Sequence, residues 1–279
     1  MLFWAKIKLT APCLLGGRFK MLPIAQAGPA LKQAIERPGP SLRSYERLAA
    51  IYHEYAKSFC PNYAAFLHAL ARKCRIELRS ILDLACGAGT ITTQLAPLVR
   101  EVVGVDSCPE MLAAAAKLCK PHGNVRLVES DFRDFDLGRR FDAVICGSDS
   151  LNYLAEPAEL VRVFRCVARH LTPGGLILCD ALDDRGMRHY SGKFIPIELD
   201  GTECGIVLRY DPVRREDNAL VVFVSGIESH RRVPIEPDDV LRAVTDTGLT
   251  VLDWFSVAGF GLLKYGGVRN FYVLRRSAG

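Results

Sequence analysis

The chain has 279 residues, of which 49% are hydrophobic and 24% are charged. This balance is typical of a folded globular protein with one large domain or two small ones, and no apolar run reaches the roughly 18 residues that a membrane-spanning helix needs. The net charge is +5, and Lys6, Lys8, Arg18 and Lys20 lie in the first 20 residues, so the remainder is almost neutral and lacks the clustered basic patch of a nucleic-acid binder.

The first 41 residues do not show the pattern of a folded unit. Residues 1–20 are apolar with interspersed basic residues, which differs from the basic start and central apolar stretch of a secretory signal, and Met21 offers an alternative start. Residues 22–42 are rich in Pro, Gly and Ala and predict a loose linker. We therefore expect residues 1–41 to be a poorly ordered leader and linker, and residues 42–279 to form the folded domain.

The segment that begins at Ser44 has the pattern of an amphipathic helix. It reads SYERLAAIYHEYAKSF and places Tyr45, Leu48, Tyr52 and Tyr55 at helical spacing. Residues 42–76 are thus expected to be helical. The residues alone leave two interpretations open: a helix that packs on the core, or a lid whose tyrosines cover a cleft.

Residues 77–180 alternate between strand-like and helix-like segments with short joins. This alternation predicts a parallel sheet with helices on both faces, and near-continuous apolar strands suit such a sheet. The segments in chain order are RSILDLAC, GTITTQLAPLV, EVVGVD, CPEMLAAAAKLCK, VRLVESD, FDAVICGS, PAELVRVFRCVARHL and GGLILCD.

The pattern changes after Asp180. Residues 181–230 contain CGIVLRYDPVRREDNALVVFVSGIES, two strand-like runs around a charged turn, which predict an antiparallel insertion. Residues 231–279 contain a helix pattern, EPDDVLRAVTDTG, and two last strands, LTVLDWFSV and NFYVLRR. The short pair Arg231–Arg232 predicts a solvated surface.

The segment ILDLACGAGT, residues 81–90, combines a buried strand, an acid and two glycines. Glycines at the carboxyl end of a strand let the backbone approach a ligand, and the next helix start offers free N–H groups. A dinucleotide site would have a third glycine, as in G-x-G-x-x-G, where this chain reads G-A-G-T-I-T from Gly87. An NAD-dependent oxidoreductase on a similar sheet remains an alternative.

The form D-x-A-C-G-x-G-T from Asp83 resembles motif I of the class I S-adenosylmethionine-dependent methyltransferases. The resemblance continues through GVDSCPEML, ESDFRDFD, FDAVICGSDSLNYL and HLTPGGLILCD, over residues 77–180. It implies an α/β fold with a Rossmann-like, seven-stranded, doubly wound sheet whose last strand is antiparallel. It also implies an antiparallel β insertion that caps the substrate and an N-terminal helical lid.

The chain is most similar to small-molecule N- and O-methyltransferases of that superfamily, including amino-sugar N,N-dimethyltransferases. Such enzymes carry tyrosines on the lid, which favours the lid interpretation for Tyr45 and Tyr52. The segment ALDDRGMRHYSGKF after Asp180 lacks the tryptophan-rich stretch of the sugar enzymes, which argues against an amino-sugar substrate.

The resemblance implies S-adenosylmethionine as cofactor, S-adenosylhomocysteine as product, and no metal. Asp106 would hold both ribose hydroxyls, a task for which a carboxylate has enough acceptor sites, and Asp131 would accept the adenine amino group. Asp83 would lie near the cofactor's amino group or bond the N–H groups of the glycine loop. The implied cofactor-binding residues are Tyr45, Tyr52, Asp83, Ala85, Cys86, Gly87, Gly89, Asp106, Ser107, Met111, Asp131, Phe132, Gly147, Ser148 and Asn152.

Methyl transfer from a sulfonium requires alignment of the acceptor, exclusion of water and, for a protonated acceptor atom, a base. Our candidates for catalytic residues are His230, Tyr153 and Asp149, and His53 and His189 are further possible bases. Each candidate has a structural alternative: His230 as a surface residue among arginines, Tyr153 as a packing residue, and Asp149 as a turn cap where it could otherwise hold an amine substrate.

Two rival methyltransferase classes lack their motifs. Amino-methylating DNA enzymes carry N/D-P-P-Y/F after the fourth strand, where this chain reads GSDSLNY, and the Pro–Cys of cytosine-C5 enzymes occurs only as Pro12–Cys13.

We therefore predict methyl transfer to an N or O atom of a small molecule by a monomer or homodimer, without a nucleic-acid or membrane partner. The ten cysteines, none in a C-x-x-C pair, predict buried thiols in the reducing cytoplasm. A non-catalytic protein that binds S-adenosylmethionine is the second alternative.

Overall fold

The structure is a computed structural model that describes residues 22–37, 39–57, 60–199, 202–223, 226–245, 247–258, 261–263 and 267–277. Its strands are β1 Leu22–Pro23, β2 Ser41–Leu42, β3 Ser80–Leu84, β4 Glu101–Asp106, β5 Val125–Glu129, β6 Phe141–Cys146, β7 Leu171–Ala181, β8 Lys193–Leu199, β9 Thr202–Asp211, β10 Glu216–Phe223, β11 Gly226–Arg232, β12 Leu249–Ala258, β13 Gly261–Leu263 and β14 Arg269–Arg276. Its α-helices are α1 Pro29–Glu36, α2 Leu48–Lys57, α3 Tyr63–Cys74, α4 Thr90–Leu95, α5 Pro109–Cys119, α6 Leu160–Arg169, α7 Asp184–Tyr190 and α8 Pro237–Ala243.

Within the described ranges, eight strands form the main sheet in the order β13-β12-β14-β7-β6-β3-β4-β5. Strands β3 to β7 run parallel, and β14 lies antiparallel between β7 and β12. The predicted Rossmann-like sheet with an antiparallel last strand is confirmed. The short β13 adds one strand at its edge.

Side chains alternate across the main sheet into two hydrophobic layers. On β3, Leu82 and Leu84 pack in the layer that contains α6 and α8, whereas Ile81 packs in the layer that contains α3 and α4. Each of these three side chains is at most 1% exposed, and such burial contributes about 1.5–3 kcal/mol per side chain. The continuous apolar pattern of the strands follows from this burial on both faces.

The second sheet is antiparallel over β8 to β11, with β1 at the edge of β8 and β2 paired in parallel with β11. The hairpin predicted in the insertion is present as β9 and β10, joined by a turn between Asp211 and Glu216. Strands β8 and β11 extend this hairpin on both sides. One face of the resulting sheet is available to cover the main domain.

Residues 22–37 are not the loose linker that their composition predicted. Helix α1 begins with Pro29 at its first position, where a missing N–H is tolerated. Ala34 and Ile35 of α1 pack against Val207 and Val222 on the outer face of the second sheet. The part of the leader before Leu22 lies outside the described residues.

Helix α2 begins four residues later than the pattern from Ser44 predicted. Tyr45 has φ +64°, a left-handed conformation that a helix cannot continue through. Helix α3 lies within residues 42–76, which were expected to be helical. Helix α7 was not predicted, and none of the helices in the described ranges is long and apolar enough to cross a membrane.

Candidate functional site

A cavity of about 720 Å³ lies between the carboxyl ends of the central strands and the second sheet. Its floor comes from the loops after β3, β4, β5 and β6, and its roof comes from α2 and strands β8 to β11. The sequence-predicted site residues that line it are Tyr45, Tyr52, Ala85, Gly87, Asp106, Ser107, Met111, Phe132, Ser148, Asp149, Tyr153 and His230.

The glycine loop adopts a backbone that few side chains permit. Ala85, Gly87 and Gly89 all have positive φ, at 56°, 54° and 83°. A Cβ on Gly89 would lie 3.0 Å from the Cys119 sulfur, so this glycine lets the loop pack directly on α5. The conformation aims the loop into the cavity, which is the close backbone approach that the motif predicts.

Asp106 at the end of β4 holds this loop in place. Its Oδ2 accepts the N–H of Gly87 at 2.8 Å, and its Oδ1 accepts the N–H of Cys108 at 2.9 Å. Burial raises the pKa of Asp106, although these backbone N–H groups oppose the shift. A carboxylate has about four acceptor positions, so Asp106 retains capacity toward the cavity.

Asp83 lies beneath the loop, 1% exposed, and does not line the cavity. Its Oδ2 accepts the hydroxyl of Thr92 at 2.5 Å, whereas its buried Oδ1 has no partner among the described residues. Burial raises the pKa of Asp83 to about 7. The observed bond is therefore to α4 and not to the N–H groups of the glycine loop.

Four further predicted residues, besides Asp83 and Gly89, do not line the cavity. Asn152 is fully buried and bonds the backbone of Leu182 and Val233 through its side chain. Asp131 receives its contacts from Arg133, with the closest at 2.6 Å.

The remaining two are packing residues. A Cβ on Gly147 would lie 2.7 Å from Tyr63 and from Ile91, so a helix layer closes directly over this glycine. Cys86 is 6% exposed and its side chain lies against Gly104 of β4. The structure gives these residues structural contacts, and their cofactor roles stay predictions.

Sequence reasoning missed a network of buried charges along one wall. Arg269 contacts Asp149 at 2.7 Å and Asp180 at 2.6 Å. Arg232 contacts Asp149 at 2.8 Å and Asp217 at 2.5 Å. Although burial alone would lower the pKa of Arg232, attraction to Asp217 and Asp149 outweighs it and raises that pKa. Both arginines are therefore fixed cations at the cavity wall.

The network is tied to the loop after β6. The hydroxyl of Tyr63 donates to Asp180 at 2.7 Å and accepts the N–H of Ser148 at the same distance. Asp149 donates its N–H to Asp180 at 3.1 Å, and both Ser148 and Asp149 have positive φ. Two strained residues are thus held by one buried acid. The acid at the end of β7 was the available signal, because its strand is otherwise apolar.

Strand β11 presents three polar side chains to the cavity side of the second sheet. Glu228, His230 and Arg232 alternate along it and are 0%, 2% and 9% exposed, while Arg231 points to the opposite face and pairs with Glu216. The expected solvated arginine pair is wrong for Arg232, since neighbours on a strand face opposite sides. The alternative of His230 as a surface residue is likewise wrong.

Glu228 joins the lid to the second sheet. Its Oε1 accepts the N–H groups of Arg47 at 2.5 Å and Leu48 at 3.0 Å, and its Oε2 accepts that of Tyr45 at 3.0 Å. Burial favours a raised pKa, but His230 and these N–H groups outweigh it, so the pKa of Glu228 is lowered. An ionised carboxylate therefore caps the start of α2.

The same carboxylate orients His230. The Nε2 atom lies 3.3 Å from Glu228 Oε2, and because an ionised carboxylate only accepts, Nε2 carries the hydrogen. The buried Nδ1 then has a free lone pair, and it has no hydrogen-bond partner among the described residues. The ring also packs edge-on against Tyr45, with centroids 4.6 Å apart.

The other candidate histidines are placed less favourably. His189 lines the cavity but its Nε2 lies 3.1 Å from Lys193 Nζ. His53 does not line the cavity, and its Nδ1 lies 3.1 Å from Thr90 Oγ1.

Tyrosines close the side of the cavity between lid and core. The rings of Tyr45 and Tyr52 lie 6.2 Å apart, those of Tyr52 and Tyr55 5.9 Å, and those of Tyr45 and Tyr153 6.2 Å. Burial raises the pKa of Tyr45, Tyr52 and Tyr153, so these phenols stay neutral. Tyr55 was placed on the helix pattern but not predicted in the site.

The roof beyond the polar strand is apolar. The residues from β8, β9 and β10 that line the cavity are Ile195, Ile206, Leu208, Ala219 and Val221. In the described ranges, no group of three or more His, Cys, Asp or Glu side chains could hold a metal ion.

Comparison with known proteins gives consistent matches. A family described as a methyltransferase domain matches residues 81–175. The chain is 32% identical over 207 residues to dTDP-3-amino-3,6-dideoxy-alpha-D-glucopyranose N,N-dimethyltransferase of Streptomyces fradiae, and the match covers 67% of this chain and 76% of that enzyme.

Two solved structures are similar along most of the chain. The CcbJ methyltransferase from Streptomyces caelestis is 25% identical with a TM-score of 0.67, over 85% of this chain and 99% of that one. An amino pentose methyltransferase from Micromonospora echinaspora, solved with S-adenosylmethionine bound, is 25% identical with a TM-score of 0.59, over 77% of this chain and 91% of that one.

Proposed function

The chain belongs to the class I S-adenosylmethionine-dependent methyltransferases, and from that premise we propose that it methylates a nitrogen or oxygen atom of a small molecule held between the two sheets. One observation carries the proposal. A single cavity joins the glycine loop and Asp106 to the imidazole ring of His230, whose Nδ1 is buried without a partner among the described residues.

The residues at the floor suit the cofactor. Asp106 offers free acceptor positions for ribose hydroxyls, and Gly87 leaves room for a close backbone approach. The Oδ1 of Asp83 is buried without a partner among the described residues and Asp83 does not line the cavity, so its place near the cofactor's amino group stays a prediction. When bound, S-adenosylmethionine supplies an electrophilic methyl group on a sulfonium. S-adenosylhomocysteine is the leaving group.

His230 acts as the general base in this proposal. Its Nδ1 takes the proton of the acceptor atom as the bond from that atom to the methyl carbon forms and the carbon–sulfur bond breaks. Glu228 stabilises the resulting imidazolium through Nε2, 3.3 Å away. Positioned general bases contribute about 10²–10⁴-fold to a rate.

Asp149 and Tyr153 support this step in different ways. Asp149 is held by both Arg232 and Arg269, so it orients those cations and does not take up the acceptor's proton. Tyr45 and Tyr52 exclude water from the reacting atoms, and Tyr153, which is 39% exposed, lines the same cavity.

The alternatives are disfavoured by particular residues. The third glycine of a dinucleotide motif would fall at Thr92, which is fully buried and bonds Asp83 through its hydroxyl, so an NAD-dependent oxidoreductase is not favoured. A non-catalytic binding protein would have no need for a buried histidine oriented toward the cavity. Formation of a methylated product distinguishes a methyltransferase from such a binding protein.

We place the reaction in the cytoplasm, in a monomer or homodimer that acts without nucleic acid. Eight cysteines in the described ranges are free thiols, which suits a reducing compartment.

The test is calorimetric binding of S-adenosylhomocysteine to the wild-type chain, Asp106→Ala and Glu129→Ala. Glu129 is the matched control. It is the neighbour of Asp106 on the adjacent strand β5, is exposed, and does not line the cavity. We expect micromolar binding that Asp106→Ala weakens at least tenfold and Glu129→Ala leaves unchanged. A folded wild-type chain that does not bind either S-adenosylmethionine or S-adenosylhomocysteine would overturn the proposal.

A further inference from the structure

We infer that the methyl acceptor is a hydrophobic, ring-sized molecule that reacts through an acidic hydroxyl, of the phenol or enol class. The inference rests on the proposed function and concerns the acceptor half of the same cavity. It follows from how one sheet distributes apolar and polar side chains over the face that covers the cavity.

The larger part of that face is apolar. Register pairs Ile195 with Ile206, Ile206 with Val221, and Leu208 with Ala219. All five side chains line the cavity, and directly paired residues share one face of a sheet. These residues form a continuous hydrocarbon surface across three strands, which we call the apolar wall.

The lid extends the apolar wall. Leu48 of α2 packs in the same cluster as the five residues, together with Tyr52, Tyr55 and Tyr190, which also line the cavity. A flat, apolar acceptor can therefore be enclosed between sheet and lid, as is usual for small-molecule sites.

The polar groups lie on one strand at the border of the apolar wall. His230 pairs with Ala219 across β10 and β11, and Arg232 follows it two residues later on the same face. Arg232 contacts Asp149 after β6 at 2.8 Å, so this border faces the end of the cavity formed by the cofactor-binding loops. An acceptor with its body on the apolar wall presents only its nearest edge to His230.

The hydrogen-bond donors at this border favour a hydroxyl over an ammonium. Asp149 and Asp217 are each already paired with an arginine, so neither is free to hold a cationic amine. Arg232 uses three N–H groups on these carboxylates out of the five that a guanidinium carries. Its two remaining N–H groups can donate to the acceptor oxygen while that oxygen passes its proton to His230 Nδ1 and forms its new bond to the methyl carbon.

The apolar wall disfavours a sugar nucleotide. Each hydroxyl or phosphate oxygen placed against it would lose its hydrogen bonds to water without replacement. The inference thus separates this chain from the substrate named for its relative from Streptomyces fradiae.

The experiment titrates three probes into the protein saturated with S-adenosylhomocysteine: para-hydroxybiphenyl, para-aminomethylbiphenyl and uridine diphosphate glucosamine. Turnover of each probe is then measured with methyl-labelled S-adenosylmethionine. The variants are Val221→Thr and Val222→Thr, adjacent valines on β10 that are 1% and 0% exposed. Val221 lines the cavity, whereas Val222 packs in the outer cluster with α1.

We expect the phenol to bind and turn over at least tenfold better than the other two probes. Val221→Thr should lower its kcat/KM roughly tenfold, as a polar group in a hydrophobic pocket does. Val222→Thr carries the same chemical change and should alter thermal stability without altering kcat/KM.

Two results overturn the inference while leaving methyl transfer intact. The first is faster turnover of the amine or of the sugar nucleotide than of the phenol. The second is no phenol binding by a chain that binds S-adenosylhomocysteine. Equal effects of the two threonine variants on kcat/KM would also overturn it. Loss of S-adenosylhomocysteine binding by the wild-type chain overturns the proposed function instead.

Discussion

The floor and the roof of the cavity are built by opposite strategies. The floor uses left-handed backbone at strand ends, with Gly87, Ser148 and Asp149 at positive φ, and Asp106 bonds Cys108 beside it in sequence and Gly87 after the adjacent strand. The roof uses regular strands, and its site comes from alternating side chains on β11. The floor is thus specified by short motifs, and the roof by register.

This difference means that cofactor binding and acceptor binding depend on different kinds of contact. At the floor, backbone N–H groups and carboxylates offer fixed hydrogen bonds, which suit an invariant cofactor. At the roof, exchanging one side chain on the apolar wall changes the shape of the pocket without disturbing any backbone bond. The two halves should therefore respond separately to substitution.

The largest effect should come from His230→Gln at the roof. Loss of the base should lower kcat about 10²–10⁴-fold while the Kd for S-adenosylmethionine stays within twofold, because the floor is untouched. His189→Gln is the control, since His189 also lines the cavity but contacts Lys193. A variant that loses cofactor affinity along with kcat would show that the halves are coupled.

At the floor, Asp83→Asn should change how stability depends on pH. The pKa of Asp83 is raised from 3.8 to about 7 by burial, so its contribution to stability is fully present below pH 3.8 and is lost as pH rises toward 7. The loss is on the order of 4 kcal/mol across that window. The neutral amide should remove this slope from the free energy of unfolding.

Urea unfolding at several pH values between 4 and 7.5 measures that slope. Asp136→Asn, at an exposed carboxylate whose pKa is lowered, is the control and should keep the wild-type slope. Parallel curves for wild type and Asp83→Asn would contradict the raised pKa.

Glu228→Gln should loosen the lid. The carboxylate accepts three backbone N–H groups at the start of α2, and an amide accepts fewer and adds donors of its own. We expect a loss of about 3 kcal/mol in unfolding free energy and a higher acceptor KM. Glu46→Gln, an exposed acid in the same loop that pairs with Arg43, should change neither quantity measurably.

The smallest effect should come from Tyr153→Phe. This change removes a hydroxyl at the cavity wall. Loss of one hydrogen bond of about 1 kcal/mol to the acceptor should raise the acceptor KM about fivefold. Tyr210→Phe removes a hydroxyl that bonds Asp184 outside the cavity and should affect stability alone. Equal KM values for wild type and Tyr153→Phe would remove Tyr153 from the acceptor site.

The sequence was most informative where structure is local. Strands β3, β4, β6 and β7 are rich in apolar residues, and Asp106 ends its strand, so the sheet and the position of Asp106 could be predicted. Glu228 could not, because its partners at Tyr45 to Leu48 lie 180 or more residues away. Likewise, Arg269 meets Asp180 across 89 residues.

Misleading local patterns explain the remaining differences. Arg232 stands beside Arg231 and reads as surface until the strand alternation is known. Residues 22–37 are rich in Pro and Ala because α1 begins with a proline and packs small side chains on the outer face of the second sheet. Composition alone does not distinguish such a packed helix from a linker.

The position of β14 sets the order in which the molecule can assemble during synthesis. This strand is made after every other strand of the main sheet, yet it lies in the interior between β7 and β12. Until it emerges from the ribosome, the edge of β7 is unpaired, and β12 has no place in the sheet. An open edge of this kind is a site of aggregation. The parallel strands can therefore fold early, but we expect the nascent chain to depend on chaperones until β14 closes that gap.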